Sequence, residues 1–231
     1  MDEAMGDVAD LRIAGEPMRL HAERALYWPA RRRLLIADLH LGKGDILRAA
    51  GIPVPTGGTG HDLARLDALL HATAARELWV LGDFLHGRRH PRVEAAWRAL
   101  LAAHPGVVAS VVAGNHDRSL APDAVGIVHL PDDVRDGPFR FRHMPVDGAG
   151  HDGHDPAAGH VVCGHVHPVV RLPGLPGRHP ALALEAQQTI LPAFSAFTGG
   201  RELASGCSWI ACAGGALPGH RDGAWRAGAV P

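Results

Sequence analysis

Four short polar motifs constrain this chain more than any other feature, because each one follows an apolar run of strand type. The motifs are Asp38-Leu39-His40, Gly82-Asp83-Phe84-Leu85-His86, Gly114-Asn115-His116-Asp117 and Gly164-His165-Val166-His167. Aspartate, asparagine and histidine are side chains that hold hard and borderline divalent metals. Functional groups of open α/β sheets gather beyond the carboxyl ends of the strands. The motifs therefore predict one two-metal hydrolytic centre built from most of the chain.

The two ions of such a centre lie about 3.5–4 Å apart and need a shared anionic ligand. Asp83 is the natural bridge. Asp38 and His40, two apart on an extended chain, are expected to reach one ion while the residue between them points to the core. His165 and His167 have the same alternation, so one of them could face each ion.

The neighbouring residues fit this interpretation. Asn115 supplies a neutral oxygen, and glycines before Asp83, Asn115 and His165 allow tight turns that bring backbone close to a ligand. Any one motif alone would more often be structural than metal-binding. Their joint occurrence, each after an apolar strand, makes coincidence a poor explanation.

The order of predicted elements indicates an α/β fold in one domain. Buried strands over 34–38, 78–82 and 107–113 alternate with helices over 62–75 and 91–103, which favours a sheet with crossover helices. Short strands are also expected at 11–13 and 25–28, and an irregular loop over 42–59. The second half predicts a second sheet packed on the first, with strands at 126–129, 139–143, 160–163, 169–172, 182–184, 188–191 and 208–211. Residues 1–212 are expected to form the domain, and 213–231 a flexible tail.

Bulk properties narrow the possible partners. The 231 residues carry a net charge of −1, which gives no overall electrostatic footprint for nucleic acid. Three cysteines without a CxxC pair, no visible leader and no apolar run of membrane length predict a cytoplasmic protein without a membrane partner. The oligomeric state stays open, although the apolar residues 193–197 could form an interface.

The motif series DLH, GDFLH, GNHD, an isolated His and GHVH resembles the calcineurin-like metallophosphoesterase superfamily over residues 34–167. The resemblance implies two β-sheets flanked by helices, an αββα sandwich with the centre at one edge. It also implies a role for each motif residue. One metal would be bound by Asp38, His40, Asp83 and His167, the other by Asp83, Asn115, His143 and His165, and His116 would be the catalytic histidine.

A narrower resemblance rests on the segments LLIADLHLGK, AAGIPVPTGGT, GDFLHG, VAGNHDR, GHVHPVVRL and LPAFSAFTGG. Together they are similar to the ligase-associated DNA damage response endonuclease family called PdeM, from about residue 34 to 200. That family implies a manganese-dependent phosphodiesterase acting on DNA, with DNA ligase or helicase partners in repair. Fe²⁺ or Zn²⁺ would suit the same ligands.

His86 departs from the GDxxD pattern of much of the superfamily. The same replacement occurs in double-strand-break repair nucleases, so it favours a DNA substrate and makes His86 a second catalytic candidate. Lys43 and Arg118, beside the motifs, could contact substrate phosphate, although a solvated surface role is as good an interpretation for the arginine.

Two other functions remain open. A phosphatase or small-molecule phosphodiesterase would use the same ligands, and the sparse aromatic content of 5% mildly favours it over a tight single-strand binder. A metal-binding scaffold without catalysis is the third possibility. The presence of His116 with the complete ligand set argues against it.

Overall fold

The computed structural model describes residues 7–87, 90–117, 120, 125–146 and 159–220. The helices are α1 (Lys43–Ala49), α2 (Gly58–Thr73) and α3 (Pro91–Ala103), and a short 3-10 turn spans Pro29–Arg31. The strands are β1 (Val8–Ile13), β2 (Glu16–His21), β3 (Ala25–Trp28), β4 (Arg33–Ala37), β5 (Glu77–Leu81), β6 (Val108–Val112), β7 (Val128–Leu130), β8 (Asp133–Asp136), β9 (Phe139–Arg142), β10 (His160–Cys163), β11 (Pro168–Val170), β12 (His179–Leu184), β13 (Gln188–Ile190), β14 (Arg201–Glu202), β15 (Ser208–Ala211) and β16 (Gly219–His220).

The strands form two sheets, as the sequence predicts. The first sheet has seven strands in the order β1-β2-β3-β4-β5-β6-β7, and β4 to β7 run parallel. The second has nine strands, seven of them in the order β14-β11-β12-β13-β10-β9-β8, while β15 and β16 pair beyond β12. Within it, β9, β10 and β13 are parallel. Both sheets thus direct parallel strand ends toward one edge.

The central strands of the first sheet are buried on both faces because their side chains alternate between two cores. Leu34 and Ile36 of β4 belong to a core shared with α2 and α3, whereas Leu35 and Ala37 belong to the core between the sheets. Strands buried on both faces consist of continuous apolar residues. This explains why the runs before the polar motifs are uninterrupted.

The helices cover one side of the sandwich. α2 and α3 pack on the outer face of the first sheet. The outer face of the second sheet carries a small cluster of Val161, Cys163, Ala183 and Ile190, which includes no residue from the described helices. In the part of the chain that the structure describes, no helix is long and apolar enough to cross a membrane.

Two predicted segments are corrected. The irregular loop expected over 42–59 contains α1, and α2 begins at Gly58, four residues before the predicted start. A seven-residue helix next to several Gly and Pro residues is too short to show a helical period. The strand expected at 11–13 is the end of β1, which forms a hairpin with β2.

The boundary expected at residue 212 falls inside the second sheet. Leu217 is buried in the core between the sheets, and β16 pairs with β15. Residues 213–220 of the predicted tail therefore pack on the domain, and 221–231 lie outside the described residues. Within the segment 193–197, Ala193, Phe194 and Ser195 are buried within the chain, whereas Ala196 is exposed and Phe197 is partly buried.

Candidate metal centre

The first two motifs lie side by side because their loops continue the pairing of β4 with β5. The backbone N–H of Asp38 donates to the Gly82 carbonyl at 3.2 Å, and that of His40 donates to the Asp83 carbonyl at 2.7 Å. Asp38 is fully buried and Asp83 is 2% exposed. Across the sandwich, the N–H of His165 donates to Asp38 Oδ2 at 2.9 Å. The strand ends of both sheets thus meet at two buried carboxylates.

The backbone of these loops is not extended, in contrast to the prediction. Asp38, His40, Asp83, His165 and His167 all have positive φ, between 47° and 69°. The left-handed conformation costs about 1–2 kcal/mol for a residue with a Cβ. This conformation turns both ligand candidates of the first and fourth motifs to the centre. Between them, Leu39 is fully buried as expected, whereas Val166 is only partly buried. Such strain collects at functional sites.

Asp38, His40, Asp83 and His167 form a first group of possible ligands. One ligand atom from each lies within 4.8 Å of the others. His167 Nε2 is 3.2 Å from Asp38 Oδ1, and His40 Nε2 is 3.7 Å from Asp83 Oδ2. Burial, followed by the charge of Lys43, lowers the pKa of His40 to about 2, so its imidazole is neutral. The contact between His40 and Asp83 is therefore not an ion pair.

Three atoms of the first group have no hydrogen-bond partner although they are buried. They are Asp38 Oδ1, His40 Nε2 and His167 Nε2. The Nδ1–H of His167 donates to the Gly199 carbonyl at 3.2 Å, so in the neutral imidazole the lone pair lies on Nε2. Buried acceptors that face one another are costly unless a cation lies between them. The donor set therefore fits a divalent metal.

A second group consists of Asp83, His143 and His165, again within 4.8 Å, with Asn115 beside it. The Nδ1–H of His143 donates to the Leu81 carbonyl at 3.2 Å, so Nε2 points to the group as an acceptor. That Nε2 is 3.1 Å from Asn115 Oδ1 and 3.1 Å from His165 Nδ1. Asp83 belongs to both groups, which is the arrangement expected of a bridging ligand.

Three glycines permit this packing, as the sequence suggests. A Cβ on Gly82 would lie 1.9 Å from His143 Nδ1, and one on Gly114 would lie 2.2 Å from Asp83 Oδ1. A Cβ on Gly164 would lie 2.6 Å from Asp38 Oδ2. Each glycine therefore brings backbone against a ligand candidate where no other residue fits.

His116 and His86 lie together at the exposed side of the centre. Their rings are stacked, with centroids 4.9 Å apart, and the His116 backbone N–H donates to Asp83 Oδ1 at 2.9 Å. His86 Nδ1 is 3.3 Å from His40 Nδ1. Burial lowers the pKa of His86, and Lys43 lowers it further. His86 thus contacts both a ligand candidate and the catalytic candidate.

Asp117 has a structural task that the sequence does not reveal. Its carboxylate accepts three backbone N–H groups, from Phe84 at 3.1 Å, Leu85 at 2.9 Å and Gly114 at 2.8 Å. Burial raises the pKa of Asp117, and the three N–H donors oppose that shift. The carboxylate therefore joins the second motif to the third.

Other candidates differ in their relation to the centre. Lys43 is partly buried at the start of α1, and burial lowers its pKa while the carboxylates of Asp38 and Asp83 oppose the shift. Arg118 lies outside the described residues. Cys163, two residues before His165, is fully buried in the cluster on the outer face of the second sheet, and burial raises the pKa of its thiol to about 12.

A further Asp–His group lies between α2 and the end of α3. It consists of Asp67, His71 and His104. Its polar atoms pair with one another, since His104 Nε2 is 2.8 Å from Asp67 Oδ1 and His71 Nδ1 is 2.9 Å from the Asp67 carbonyl. These contacts make it a hydrogen-bonded link between helices.

Among solved structures, the chain is similar to the Pseudomonas putida nuclease MPE. The two are 34% identical, the match covers 92% of this chain and all of that one, and the TM-score is 0.77. A protein of unknown function from Aquifex aeolicus is 20% identical over 58% of this chain and 78% of its own, with a TM-score of 0.41. No protein-family model and no curated protein matches the chain.

Proposed function

The chain belongs to the same family as the Pseudomonas putida nuclease MPE, and on that premise we propose that it is a metal-dependent phosphodiesterase that cleaves DNA. The reaction would take place at a dinuclear centre bridged by Asp83. One ion would be held by Asp38, His40 and His167, and the other by Asn115, His143 and His165.

The single observation that carries the proposal is the set of buried acceptors without partners. Asp38 Oδ1, His40 Nε2 and His167 Nε2 belong to a group with ligand atoms within 4.8 Å of one another. In the described part of the chain, the ion-pair partners within 4 Å of Asp38 and Asp83 are all histidines. When bound, two divalent ions would activate water and offset charge on the phosphate oxygens. Carboxylate, amide and imidazole donors suit Mn²⁺, with Fe²⁺ and Zn²⁺ as alternatives.

The residues of this chain would complete the reaction at the open side of the centre. Hydrolysis breaks the bond from phosphorus to the leaving oxygen, and that oxygen needs a proton. His116 is exposed beside Asp83 and would donate it or stabilise the transition state by a hydrogen bond.

His86 would support that step. With His40 Nδ1–H donating to His86 Nδ1, the other nitrogen of His86 carries a proton and is available to a phosphate oxygen. Lys43, whose pKa responds to both carboxylates, would offer a cation to the substrate phosphate. We include Arg118 as a further candidate for binding the substrate phosphate, on the sole ground that it directly follows the third motif in the sequence.

The test uses the manganese-loaded protein with a bis-aryl phosphodiester, single-stranded DNA, plasmid DNA and a mononucleotide monoester. We expect cleavage of the diester and of DNA. His116→Asn should lower both rates by about 10²–10⁴-fold while two ions remain bound. His71→Asn, a histidine change outside the centre, is the matched control. Cleavage of the monoester alone would identify a phosphatase, and fewer than two ions per chain would contradict the dinuclear centre.

The finer context is also a proposal. A DNA-repair role with ligase or helicase partners rests on the resemblance to the PdeM family. A cytoplasmic location is supported by three free cysteines, Cys163, Cys207 and Cys212.

A further inference from the structure

Among the described residues, the segment 193–199 is hydrogen-bonded to two ligand candidates of the first group, Asp38 and His167, and to none that belongs to the second group alone. Its Phe194 N–H donates to the Ala37 carbonyl at 2.8 Å, and its Ser195 N–H donates to the Asp38 carbonyl at 3.2 Å. Its Gly199 carbonyl accepts the Nδ1–H of His167 at 3.2 Å. One short segment therefore fixes the left-handed backbone of Asp38 and the ring orientation of His167.

Two buried side chains of α2 hold this segment from the opposite side. Asp62 accepts the Ala196 N–H with both carboxylate oxygens, at 3.1 and 3.2 Å. Arg65 donates to the Phe194 carbonyl at 3.0 Å and to Asp62 Oδ1 at 3.0 Å. The Arg65 guanidinium also lies 4.3 Å from the centre of the Phe194 ring. The side chains of Asp62 and Arg65 are 4% and 10% exposed.

These contacts exceed what an ordinary surface loop requires. Arg24 adds a hydrogen bond to the Ser195 carbonyl at 3.1 Å, so backbone groups of three consecutive residues receive a side-chain partner. Groups that orient metal ligands commonly act in this way, by fixing a carbonyl or carboxylate next to a histidine.

We propose that Asp62 and Arg65 are positioning residues for the metal held by Asp38, His40, Asp83 and His167, and that they act through the segment 193–199. The proposal rests on the dinuclear centre proposed above and adds a selective effect on one ion. In the second group, His143 is oriented by its donation to the Leu81 carbonyl. His165 contacts Asp38 through the carboxylate Oδ2 and not through the carbonyl that Ser195 holds. A defect in the segment should therefore weaken the binding of the ion held by the first group and leave the ion of the second group bound.

The test compares Mn²⁺ titrations, by calorimetry, of the full-length protein and its variants. Wild type should bind two ions. Asp62→Ala should keep one ion at wild-type affinity and weaken the other by about 10–100-fold, the usual effect of losing an outer-shell partner. Asp67→Ala is the matched control, because Asp67 is also a carboxylate of α2 that bonds a neighbouring element, His104, without touching the segment. It should bind both ions as wild type does.

The affected ion is identified in two single-site backgrounds. In His143→Ala, which retains the first group, adding Asp62→Ala should weaken the remaining ion. In His167→Ala, which retains the second group, adding Asp62→Ala should change nothing. Equal weakening in both backgrounds would indicate general loss of stability and would overturn the proposal.

A second variant pair guards against misfolding. Asp62→Asn keeps one acceptor oxygen and Arg65→Lys keeps the charge, so both should weaken the same ion by a smaller factor. If wild type binds two ions and every variant binds both with unchanged affinity, the positioning role is wrong and the dinuclear centre stands. If wild type binds fewer than two ions, the proposed function itself fails.

Discussion

Removing the Asp117 carboxylate should destabilise the protein strongly, because three backbone donors depend on it. Phe84 and Leu85 are 1% and 2% exposed, so water does not replace the lost oxygens. An unsatisfied buried donor costs about 1–3 kcal/mol, so the two fully buried donors, Phe84 and Leu85, alone give about 2–6 kcal/mol for Asp117→Ala. A protein of this size loses about 2–4 °C of Tm per kcal/mol, so about 4 kcal/mol lowers Tm by about 8–16 °C.

The conservative variant separates the hydrogen bonds from the space that the side chain fills. Asp117→Asn can turn its oxygen to Phe84 and Gly114, and its amide group then faces the Leu85 N–H. One lost acceptor corresponds to about 2 kcal/mol, or about 4–8 °C.

The assay is thermal and urea unfolding of metal-free protein, with Asp132→Ala, a change at an exposed aspartate, as the control. Both Asp117 variants should also bind Mn²⁺ less tightly, because their second motif is no longer held to the third. The reasoning is refuted if the Tm of Asp117→Ala lies within about 2 °C of that of the control, which corresponds to about 1 kcal/mol or less. It is also refuted if the alanine and asparagine variants lower Tm by the same amount.

Three further predictions concern other parts of the molecule. Gly82→Ala should weaken the binding of one of two Mn²⁺ ions by at least about 10-fold, because its Cβ would meet the His143 ring. The control is Gly15→Ala, a position with the same left-handed backbone and nothing within 4 Å of the added Cβ, and this variant should bind both ions normally. Burial lowers the pKa of His160 from 6.5 to about 4, so between these pH values the unfolded chain binds a proton that the folded protein does not. The free energy of unfolding therefore falls as pH drops from about 6.5 to 4. The fall is at most about 1.4 kcal/mol per pH unit before solvent screening. His160→Asn should flatten that slope in urea titrations, and an unchanged slope would contradict the assignment. Burial raises the pKa of the Cys212 thiol to about 12, so iodoacetamide at pH 8 should label it in urea but not in native protein, as mass spectrometry can check.

The proximity of the ligand candidates could be predicted because they follow strands that are easy to recognise. The runs before Asp38 and Asp83 are continuous and apolar, since β4 and β5 are buried on both faces. Parallel neighbours end at the same edge, so the residues after them must lie close together. The proximity of these side chains follows from the pattern of strands and needs no side-chain detail.

The conformation of the centre could not be predicted in the same way. Nothing in the letters Asp-Leu-His indicates that Asp38 and His40 adopt a left-handed backbone. That conformation is held by hydrogen bonds to Gly82 and Asp83, more than 40 residues away, and by the Ser195 N–H on the Asp38 carbonyl. The role of Asp117 was hidden for a related reason. Its partners include N–H groups of another loop, and backbone donors leave no trace in the sequence.

The same limit applies to Asp62 and Arg65, which the sequence presents as ordinary polar residues of an amphipathic helix. Their spacing of three residues is typical of a surface ion pair, a contact that contributes little to stability. The structure buries the pair and directs it at backbone groups of the segment 193–199. Burial against a distant segment is a tertiary property that helical periodicity does not report.

Hydrogen-bond saturation distinguishes the Asp67 group from the first group of the candidate centre better than composition does. Both groups contain carboxylate and imidazole atoms within 4.8 Å. Around Asp67 each close contact pairs a donor with an acceptor, so the group is complete as it stands. Around Asp38, the donors of His143 and His167 are turned outward to carbonyls, and acceptors are left facing acceptors. Strained backbone persists only where the surrounding structure enforces it. An arrangement that combines left-handed ligand candidates, outward-turned donors and buried acceptors without partners therefore fits a cation better than any contact among the described residues.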